Sequence, residues 1–222
     1  MNLTEILKRK LPPGLKRRFN AIRYSTVPTW KMRLARLMHY PKLPTNADGK
    51  ILIHLGCGDQ NDPRYINVDF IPFRHVHYVH GVTRLMMFKD GFADLVYASH
   101  VLEHISYHHS VETLQEWGRL LKPGGVLRIS VPDLDKILDI YKTEKHAIPE
   151  IQGPLMGGQN YAYNFHYAVF NREHLTDLFL KAGFTKVREW DPKVATYYTF
   201  NDWATKLAYG KYPIALNLEA VK

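Results

Sequence analysis

From about residue 50 onward, the chain alternates short apolar runs with stretches of helical periodicity. Residues 111–121 and 171–183 carry apolar side chains at helical spacing, and Asn171 and Gly183 have the residue types of an N-cap and of a C-terminal stop. Alternation of this kind predicts an α/β fold with a doubly wound, mainly parallel sheet. The predicted strands, rich in β-branched and aromatic residues, are 51–55, 65–70, 76–80, 94–99, 126–132, 185–191 and 214–221.

The first 49 residues have a different character. Residues 41–50 have the Pro, Asn and Gly content of a linker, so we predict a basic N-terminal helical segment at 1–49 and one main domain at 50–222. In the segment, LKRRFNAIR and WKMRLARLM place apolar residues at helical spacing with Lys and Arg between them. Two short basic amphipathic helices are therefore expected.

Nearly all of the excess positive charge lies in this segment. Residues 1–50 hold 12 Lys/Arg against two acidic residues, whereas the rest of the chain holds 18 against 19. The segment either packs on the main domain with a solvated basic face, contacts an anionic membrane surface through residues 1–40, or captures an acidic substrate. Nucleic acid is the less favoured partner, because no recognition-module signature accompanies the charge.

Cysteine usage and hydropathy bear on the compartment. Cys57 is the single cysteine, so no intramolecular disulfide is possible and a reducing, cytoplasmic setting is expected. No stretch approaches the roughly 18 uncharged apolar residues of a membrane span, and the first 25 residues lack the apolar centre of a signal peptide. A peripheral position at the inner face of the membrane stays open.

A glycine turn interrupts the most apolar stretch of the chain. Gly56-Cys57-Gly58 follows the first predicted strand, and Asp69 lies at the end of the second. In a doubly wound sheet ligands bind beyond the carboxyl ends of strands, where glycines let the backbone approach a ligand and a carboxylate accepts hydrogen bonds from ribose hydroxyls. The third small residue of a dinucleotide fingerprint is replaced by Asn61, and no phosphate-binding loop exists. A nucleoside ligand without phosphates, such as S-adenosylmethionine, is favoured over NAD.

Several motifs together resemble those of class I S-adenosylmethionine-dependent methyltransferases. They occur in order from about residue 50 to the end of the chain, and they are HLGCGD, INVDF, FADLVYASHVLEHI, RLLKPGGVLRISVPD, LKAGFTKVREW and LNLEAVK. The nearest group is the small bacterial type 11-like family found with surface-polysaccharide and glycolipid genes. The resemblance implies a Rossmann-like, seven-stranded sheet whose last strand is antiparallel, with S-adenosylmethionine as the cofactor.

The same resemblance implies a set of cofactor-binding residues. The glycine turn would line the methionine and ribose parts, Asp69 would bind the ribose hydroxyls, and Phe70 would lie against the adenine. Ser99 and His100 would border the methionine end. The full set is Gly56, Cys57, Gly58, Asp69, Phe70, Val82, Ser99 and His100.

Two positions depart from the pattern of that family. His54 stands in the first strand where many relatives have an acidic residue, and Gly81 stands where an Asp commonly receives the adenine amino group. Adenine would then bind through the backbone of Gly81 and Val82. These departures bear on affinity, and they leave a catalytically silent relative as an alternative.

Histidines are the candidates for acid–base chemistry. For a hydroxyl acceptor the protein must remove a proton, and His104 in HVLEH is the leading base because related enzymes carry a histidine at this place beside the methyl donor. HVLEH also fits the H-x-x-E-H pattern of zinc proteases, but it directly follows a strand rather than lying on one helix, which indicates a chance match. No metal is predicted, although a divalent ion at His100, Glu103 and His104 stays open.

A second polar cluster precedes the last predicted helix. GGQNYAYNFHYAVFNREH combines aromatic rings with amides, as a polyhydroxylated ligand requires. Insertions at this place cover the acceptor site in this fold. Tyr163 and Asn164 are candidate substrate-binding residues, and His166 is the alternative base or a group that orients the acceptor. Asp133, after the fifth strand, is a further candidate for orienting the acceptor or the base.

The sequence thus favours a methyltransferase that moves a methyl group from S-adenosylmethionine to a hydroxyl of a sugar or other small hydroxylated acceptor, with a lipid-linked acceptor left open. One alternative is an N- or C-methyltransferase of a small metabolite. The other is a silent cofactor-fold protein that binds a membrane or nucleic acid through its basic segment.

Overall fold

The computed structural model describes residues 41–222. The two basic amphipathic helices expected in residues 1–40 lie outside the described residues. The strands are β1 (Leu52–Leu55), β2 (Tyr65–Asp69), β3 (Tyr78–Val79), β4 (Ala93–Ser99), β5 (Leu121–Pro132), β6 (Thr185–Glu189), β7 (Leu207–Ala208), β8 (Tyr212–Pro213) and β9 (Ala215–Val221). The α-helices are α1 (Ser110–Leu120), α2 (Leu134–Thr143), α3 (Ile148–Met156) and α4 (Arg172–Lys181), and two 3-10 helices span Leu102–His104 and Tyr107–His109.

Seven strands form one sheet in the order β3-β2-β1-β4-β5-β9-β6. β1 pairs in parallel with β2 and β4, and β4 pairs in parallel with β5. β9 is antiparallel to both of its neighbours, β5 and β6. The expected seven-stranded sheet with an antiparallel last strand is confirmed, and the strand order reverses between β1 and β4, where such sheets bind ligands.

The two predicted helices are present, and the structure adds two more. α1 and α4 lie within two residues of their expected bounds, and the Asn171 side chain caps α4 by accepting a hydrogen bond from the His174 N–H at 3.0 Å. α2 and α3 were not predicted. α3 carries a proline in its first turn and Pro154 in its interior, which hides its helical pattern, because proline normally ends a helix.

The sheet separates two apolar layers. Alternate residues of a strand face opposite sides, so Ile53 and Leu55 join the layer that holds Trp117 of α1 and Phe179 of α4. Leu52 and His54 face the other side. There Tyr65, Tyr97 and Phe200 form an aromatic layer with Trp190.

The connection from β1 to β2 contains no helix within the described part of the chain, and it holds Pro63. The carboxyl end of β1 therefore opens directly onto a loop rather than onto a helix N-terminus. Across residues 41–222 no helix has the length and apolar character needed to span a bilayer.

Candidate active site

The glycine turn is built by two residues in the left-handed region of backbone space. Gly56 has φ +62° and Gly58 has φ +54°, and the Gly56 N–H donates to the Val68 carbonyl at 2.8 Å. A Cβ on Gly56 would lie 2.4 Å from Val101 Cγ2, whereas a Cβ on Gly58 would meet nothing within 4 Å. Gly56 is therefore required by the packing of the turn. Gly58 borders open space, as expected of a residue that approaches a ligand.

Asp69 is tied to that turn. Its Oδ2 accepts the Gly58 N–H and its Oδ1 accepts the Ile71 N–H, both at 2.7 Å. The carboxyl group is almost completely buried, and burial raises its pKa against the lowering effect of the two backbone hydrogen bonds. A carboxylate has about four lone-pair positions, so two remain for hydroxyls of a ligand.

Cys57 contributes its backbone to the turn. Its thiol is buried, with Sγ 3.8 Å from His75 Nε2, and burial raises the pKa of this thiol well above its ordinary value. A protonated, buried thiol is a packing group and not a nucleophile.

Phe70 lies beside the turn with an exposed ring. The ring stacks on Tyr163 with centroids 5.1 Å apart and an interplanar angle of 6°. A Cβ on Gly81 would approach Phe70 Cε2 to 3.1 Å, so the glycine makes room for the aromatic ring. Val82 holds its carbonyl toward Trp117, whose Nε1–H donates to it at 2.8 Å. The contact with Phe70 gives a physical reason for Gly81 at a position where the resembled family commonly has an Asp.

His54 does not reach this region. It is buried in the aromatic layer, 4.5 Å from Phe200 and 5.0 Å from Tyr97 between ring centroids. Burial lowers its pKa to about 4, so the imidazole is neutral. His54 therefore packs among aromatic rings on one face of the sheet, whereas Ile53 and Leu55 of the same strand face the other apolar layer.

A cavity of about 440 Å³ runs from the glycine turn to the residues after β4. Ser99 and His100 line it. Its far wall comes from α3 and from the covering loop, which we define as residues 157–169. From these it takes Gly157, Gly158, Tyr161, Asn164 and His166.

Four titratable side chains meet beside this cavity. The Nδ1–H of His104 donates to the Phe165 carbonyl at 2.9 Å, which leaves the Nε2 lone pair of His104 free of that bond. The His104 and His166 ring centroids are 4.9 Å apart. His100 Nδ1 lies 3.1 Å from Oε1 of Glu103, whose side chain is fully buried. The two candidate bases, 62 residues apart in the chain, are therefore neighbours.

Electrostatics in this cluster are set by the buried carboxylate. Burial raises the pKa of Glu103, but the imidazoles of His100, His104 and His166 outweigh it and the pKa is lowered overall. Burial lowers the pKa of His166, and the Glu103 charge opposes this only in part. The pKa of Glu103 and the pKa of His166 are thus both lowered, the first by attraction to the neighbouring imidazoles and the second by burial.

His100 adopts a left-handed backbone conformation, with φ +53°, and its N–H donates to the Ser130 carbonyl at 2.8 Å. The helix that follows covers only Leu102–His104. His100 and His104 therefore do not share a helix, and the arrangement of a zinc protease is absent from this part of the structure.

The structure assigns different positions to the candidate substrate residues. Asn164 lines the cavity and donates to Asn160 Oδ1 at 2.7 Å. Tyr163 stacks on Phe70 instead. Asp133 caps α2, where its Oδ1 accepts the Asp135 N–H at 3.1 Å, and it is not among the residues that line the cavity.

One wall of the cavity was not anticipated from the sequence. Asp202, Trp203, Lys206 and Tyr209, from the segment between β6 and β9, also line it. Asp202 is buried and accepts the hydroxyls of Tyr97 at 2.6 Å and Tyr198 at 2.8 Å, so it anchors the segment. The aromatic and polar composition of TYYTFNDWATKLAYGKY was the only available signal.

Comparison with known proteins agrees with this architecture. A solved methyltransferase of Thermotoga maritima, described as a possible histamine N-methyltransferase, aligns over 98% of this chain and 99% of its own, with 17% identity and a TM-score of 0.50. The 1,6-didemethyltoxoflavin-N1-methyltransferase of Burkholderia thailandensis, solved with its substrate and S-adenosylhomocysteine, aligns over 88% and 81%, with 16% identity and a TM-score of 0.50. An S-adenosylmethionine-dependent methyltransferase of Methanosarcina mazei aligns over 84% and 96%, with 15% identity and the same TM-score.

These structures establish the fold. No curated protein matches the chain significantly. The family described as "Methyltransferase domain" matches residues 28–189, which is most of the chain. The chain therefore belongs to the methyltransferase-domain family, and it is a methyltransferase with the fold of the S-adenosylmethionine-dependent enzymes.

Proposed function

We propose that the protein transfers a methyl group from S-adenosylmethionine to a hydroxyl of a sugar or other small hydroxylated acceptor. The observation that carries the proposal is the continuous cavity that joins the glycine turn to the paired imidazoles of His104 and His166. One end suits a nucleoside and the other suits a group that must lose a proton.

The cofactor end fits S-adenosylmethionine. The open space at Gly58 accepts a ligand close to the backbone, and Asp69 keeps two lone-pair positions for the ribose hydroxyls. Gly56 and the Cys57 backbone complete the turn, and Ser99 and His100, which line the cavity, are assigned to the methionine end. Phe70 and Val82 are not among the residues that line the cavity, and we assign them to the adenine because they lie beside the turn. When bound, this cofactor supplies the methyl group and keeps the C–S bonding electrons on its sulfur.

The acceptor end suits a hydroxylated ring. Trp203 and Tyr209 offer exposed aromatic faces, and Asn164 offers an amide. Sugar rings bind between such groups, since C–H edges pack on aromatic faces while hydroxyls pair with polar side chains.

Two tasks remain for the chain's own residues. They must hold the acceptor oxygen in line with the methyl group, and they must take up the one proton that the hydroxyl releases as the O–CH₃ bond forms. His104 Nε2 and His166 are the groups that face this oxygen, and they are the catalytic residues of the proposal.

The basic segment at 1–49 supports an acceptor carried on a lipid, because an anionic membrane surface attracts clustered Lys and Arg. The resemblance of the sequence motifs to a group found with surface-polysaccharide genes is the second ground for this acceptor class. Both remain parts of the proposal.

The test is a measurement of S-adenosylhomocysteine release by the full chain with a panel of hydroxyl, amine and carbon acceptors. We expect release with sugar hydroxyls, at least a hundredfold loss in His104→Ala, and near wild-type release in His109→Ala, which changes an exposed histidine. Turnover with an amine or carbon acceptor alone, retained in His104→Ala, would replace the proposal with an N- or C-methyltransferase. The reaction named for the Burkholderia thailandensis structure is an N-methylation.

A further inference from the structure

Glu103 has an environment that the protein alone does not complete. Its side chain is fully buried, and no described residue donates a well-oriented hydrogen bond to either carboxylate oxygen, although His100 Nδ1 lies 3.1 Å from Oε1. An ionised carboxylate removed from water costs several kcal/mol unless it is paired and hydrogen-bonded. A positive partner is expected at this place.

Two imidazoles face the same point. One ligand atom each from Glu103, His104 and His166 can be chosen so that all lie within 4.8 Å of one another. Bonds of about 2.1 Å to a common ion require a spacing of roughly 3–3.5 Å, so side-chain movements of about 1 Å close the set. Such movements are within the range of rotamer adjustment at fixed backbone.

The orientation of His104 is that of a metal ligand. Its Nδ1–H donates to the Phe165 carbonyl, so the lone pair is on Nε2. Metal-binding histidines almost always donate a hydrogen bond from their other ring nitrogen. Metal-binding carboxylates are themselves contacted by polar groups, and His100 has that position beside Glu103.

We infer that Glu103, His104 and His166 form a binding site for a divalent first-row transition metal ion at the acceptor end of the cavity. Two nitrogens and one carboxylate oxygen favour ions such as Zn²⁺, Mn²⁺ or Co²⁺ over Mg²⁺ and Ca²⁺, which prefer oxygen ligands. The inference replaces His100, the ligand considered from the sequence, with His166 from the covering loop.

The site has two consequences, of which the second rests on the proposed function. The ion joins the covering loop to the segment after β4, so it orders the wall of the acceptor cavity. Three protein ligands also leave a position open for the acceptor hydroxyl. With the ion bound, His104 and His166 serve as ligands rather than as bases, and the ion lowers the pKa of the bound hydroxyl. The proton then passes to solvent water as the methyl group is gained, without any change in oxidation state.

The experiment uses the full chain after removal of metal with EDTA, titrated with Co²⁺ and followed by visible absorption. We expect a 1:1 endpoint, at least a tenfold weaker association in Glu103→Gln, His104→Ala and His166→Ala, and unchanged association in His109→Ala. In thermal unfolding, Co²⁺ at a hundredfold excess over Kd is expected to raise the melting temperature of the wild type by about 5–10 °C. The shift is expected to disappear in Glu103→Gln. The melting curve of that variant without metal shows whether it is folded.

Absence of Co²⁺ absorption in the wild type, or its retention in both Glu103→Gln and His166→Ala, would overturn the metal site. Methyl transfer that persists in EDTA but is lost in His104→Ala would do so as well, while leaving the proposed function intact. Co²⁺ binding without turnover of any hydroxyl acceptor would support the site and remove the proposed acceptor class.

Discussion

Gly56 and Gly58 lie in the same turn, but alanine is predicted to have different effects at the two positions, chiefly on stability at Gly56 and on cofactor affinity at Gly58. Gly56 and Gly58 both have positive φ, which costs an alanine about 1–2 kcal/mol. Gly124 shares this conformation, with φ +76° and nothing within 4 Å of a built Cβ, and it lies in β5 away from the cavity. Gly124→Ala is therefore the control for backbone strain alone.

Steric contact separates the three variants. The Cβ of Gly56→Ala would lie 2.4 Å from Val101 Cγ2, and relief of such overlap in a buried layer adds about 1–3 kcal/mol. The Cβ of Gly58→Ala meets no protein atom but projects into the space assigned to the cofactor. Stability should therefore fall most in Gly56→Ala and by similar, smaller amounts in the other two, about 2–8 °C in melting temperature.

Cofactor affinity should follow a different order. We expect calorimetric titration to show at least a tenfold loss of S-adenosylmethionine affinity in Gly58→Ala and an unchanged affinity in Gly124→Ala, at a temperature where both are folded. Wild-type affinity in Gly58→Ala, or an equal loss in Gly124→Ala, would refute the placement of the cofactor at this turn.

Three further predictions test the surrounding structure. Asp69→Asn presents an amide N–H to one of two backbone donors, so it should lower the free energy of unfolding by about 1–3 kcal/mol. It should also abolish S-adenosylmethionine binding, and retained binding would contradict the role of Asp69 in holding the ribose. His54 has a folded pKa of about 4 and an unfolded pKa near 6.5, so only the unfolded chain gains this proton as pH falls through that interval. The free energy of unfolding should therefore drop by up to about 3 kcal/mol between these pH values. Denaturant unfolding at a series of pH values checks this, and His54→Leu should lack this part of the pH dependence. Arg128 forms a buried pair with Glu219 that Arg188 also contacts, so Arg128→Met should lower the free energy of unfolding by about 3 kcal/mol in urea, whereas a change below 1 kcal/mol would show that Arg188 suffices.

The sheet was predictable because its signal is local. The central strands β1, β2 and β4 are short, mostly buried runs, and their alternation with helical stretches predicts a parallel arrangement. The turn at Gly58 and the carboxylate of Asp69 follow from the same logic, because the carboxyl ends of adjacent parallel strands meet at one edge.

The acceptor wall was less predictable because its parts come together only in three dimensions. His104 and His166 were separate candidates, and no spacing rule brings residues 62 positions apart to a ring distance of 4.9 Å. Trp203 and Lys206 reach the cavity from a segment with little regular structure, anchored by the buried Asp202. Local patterns carry no information on such long-range contacts.

Departures from a family pattern also needed the structure to be interpreted. Gly81 accommodates the ring of Phe70, and His54 packs in the aromatic layer on one face of the sheet. From the sequence both suggested weakened cofactor binding. With the packing known, each is explained by a neighbouring aromatic side chain.

The most direct test is calorimetric titration of the full chain with S-adenosylmethionine, with NADH as the comparison ligand and Asp69→Ala as the matched variant. The account predicts 1:1 binding of S-adenosylmethionine in the micromolar range, no binding of NADH, and loss of the signal in Asp69→Ala. Absence of S-adenosylmethionine binding by the folded wild type, or equal binding by Asp69→Ala, would contradict a methyltransferase that holds its cofactor at the glycine turn.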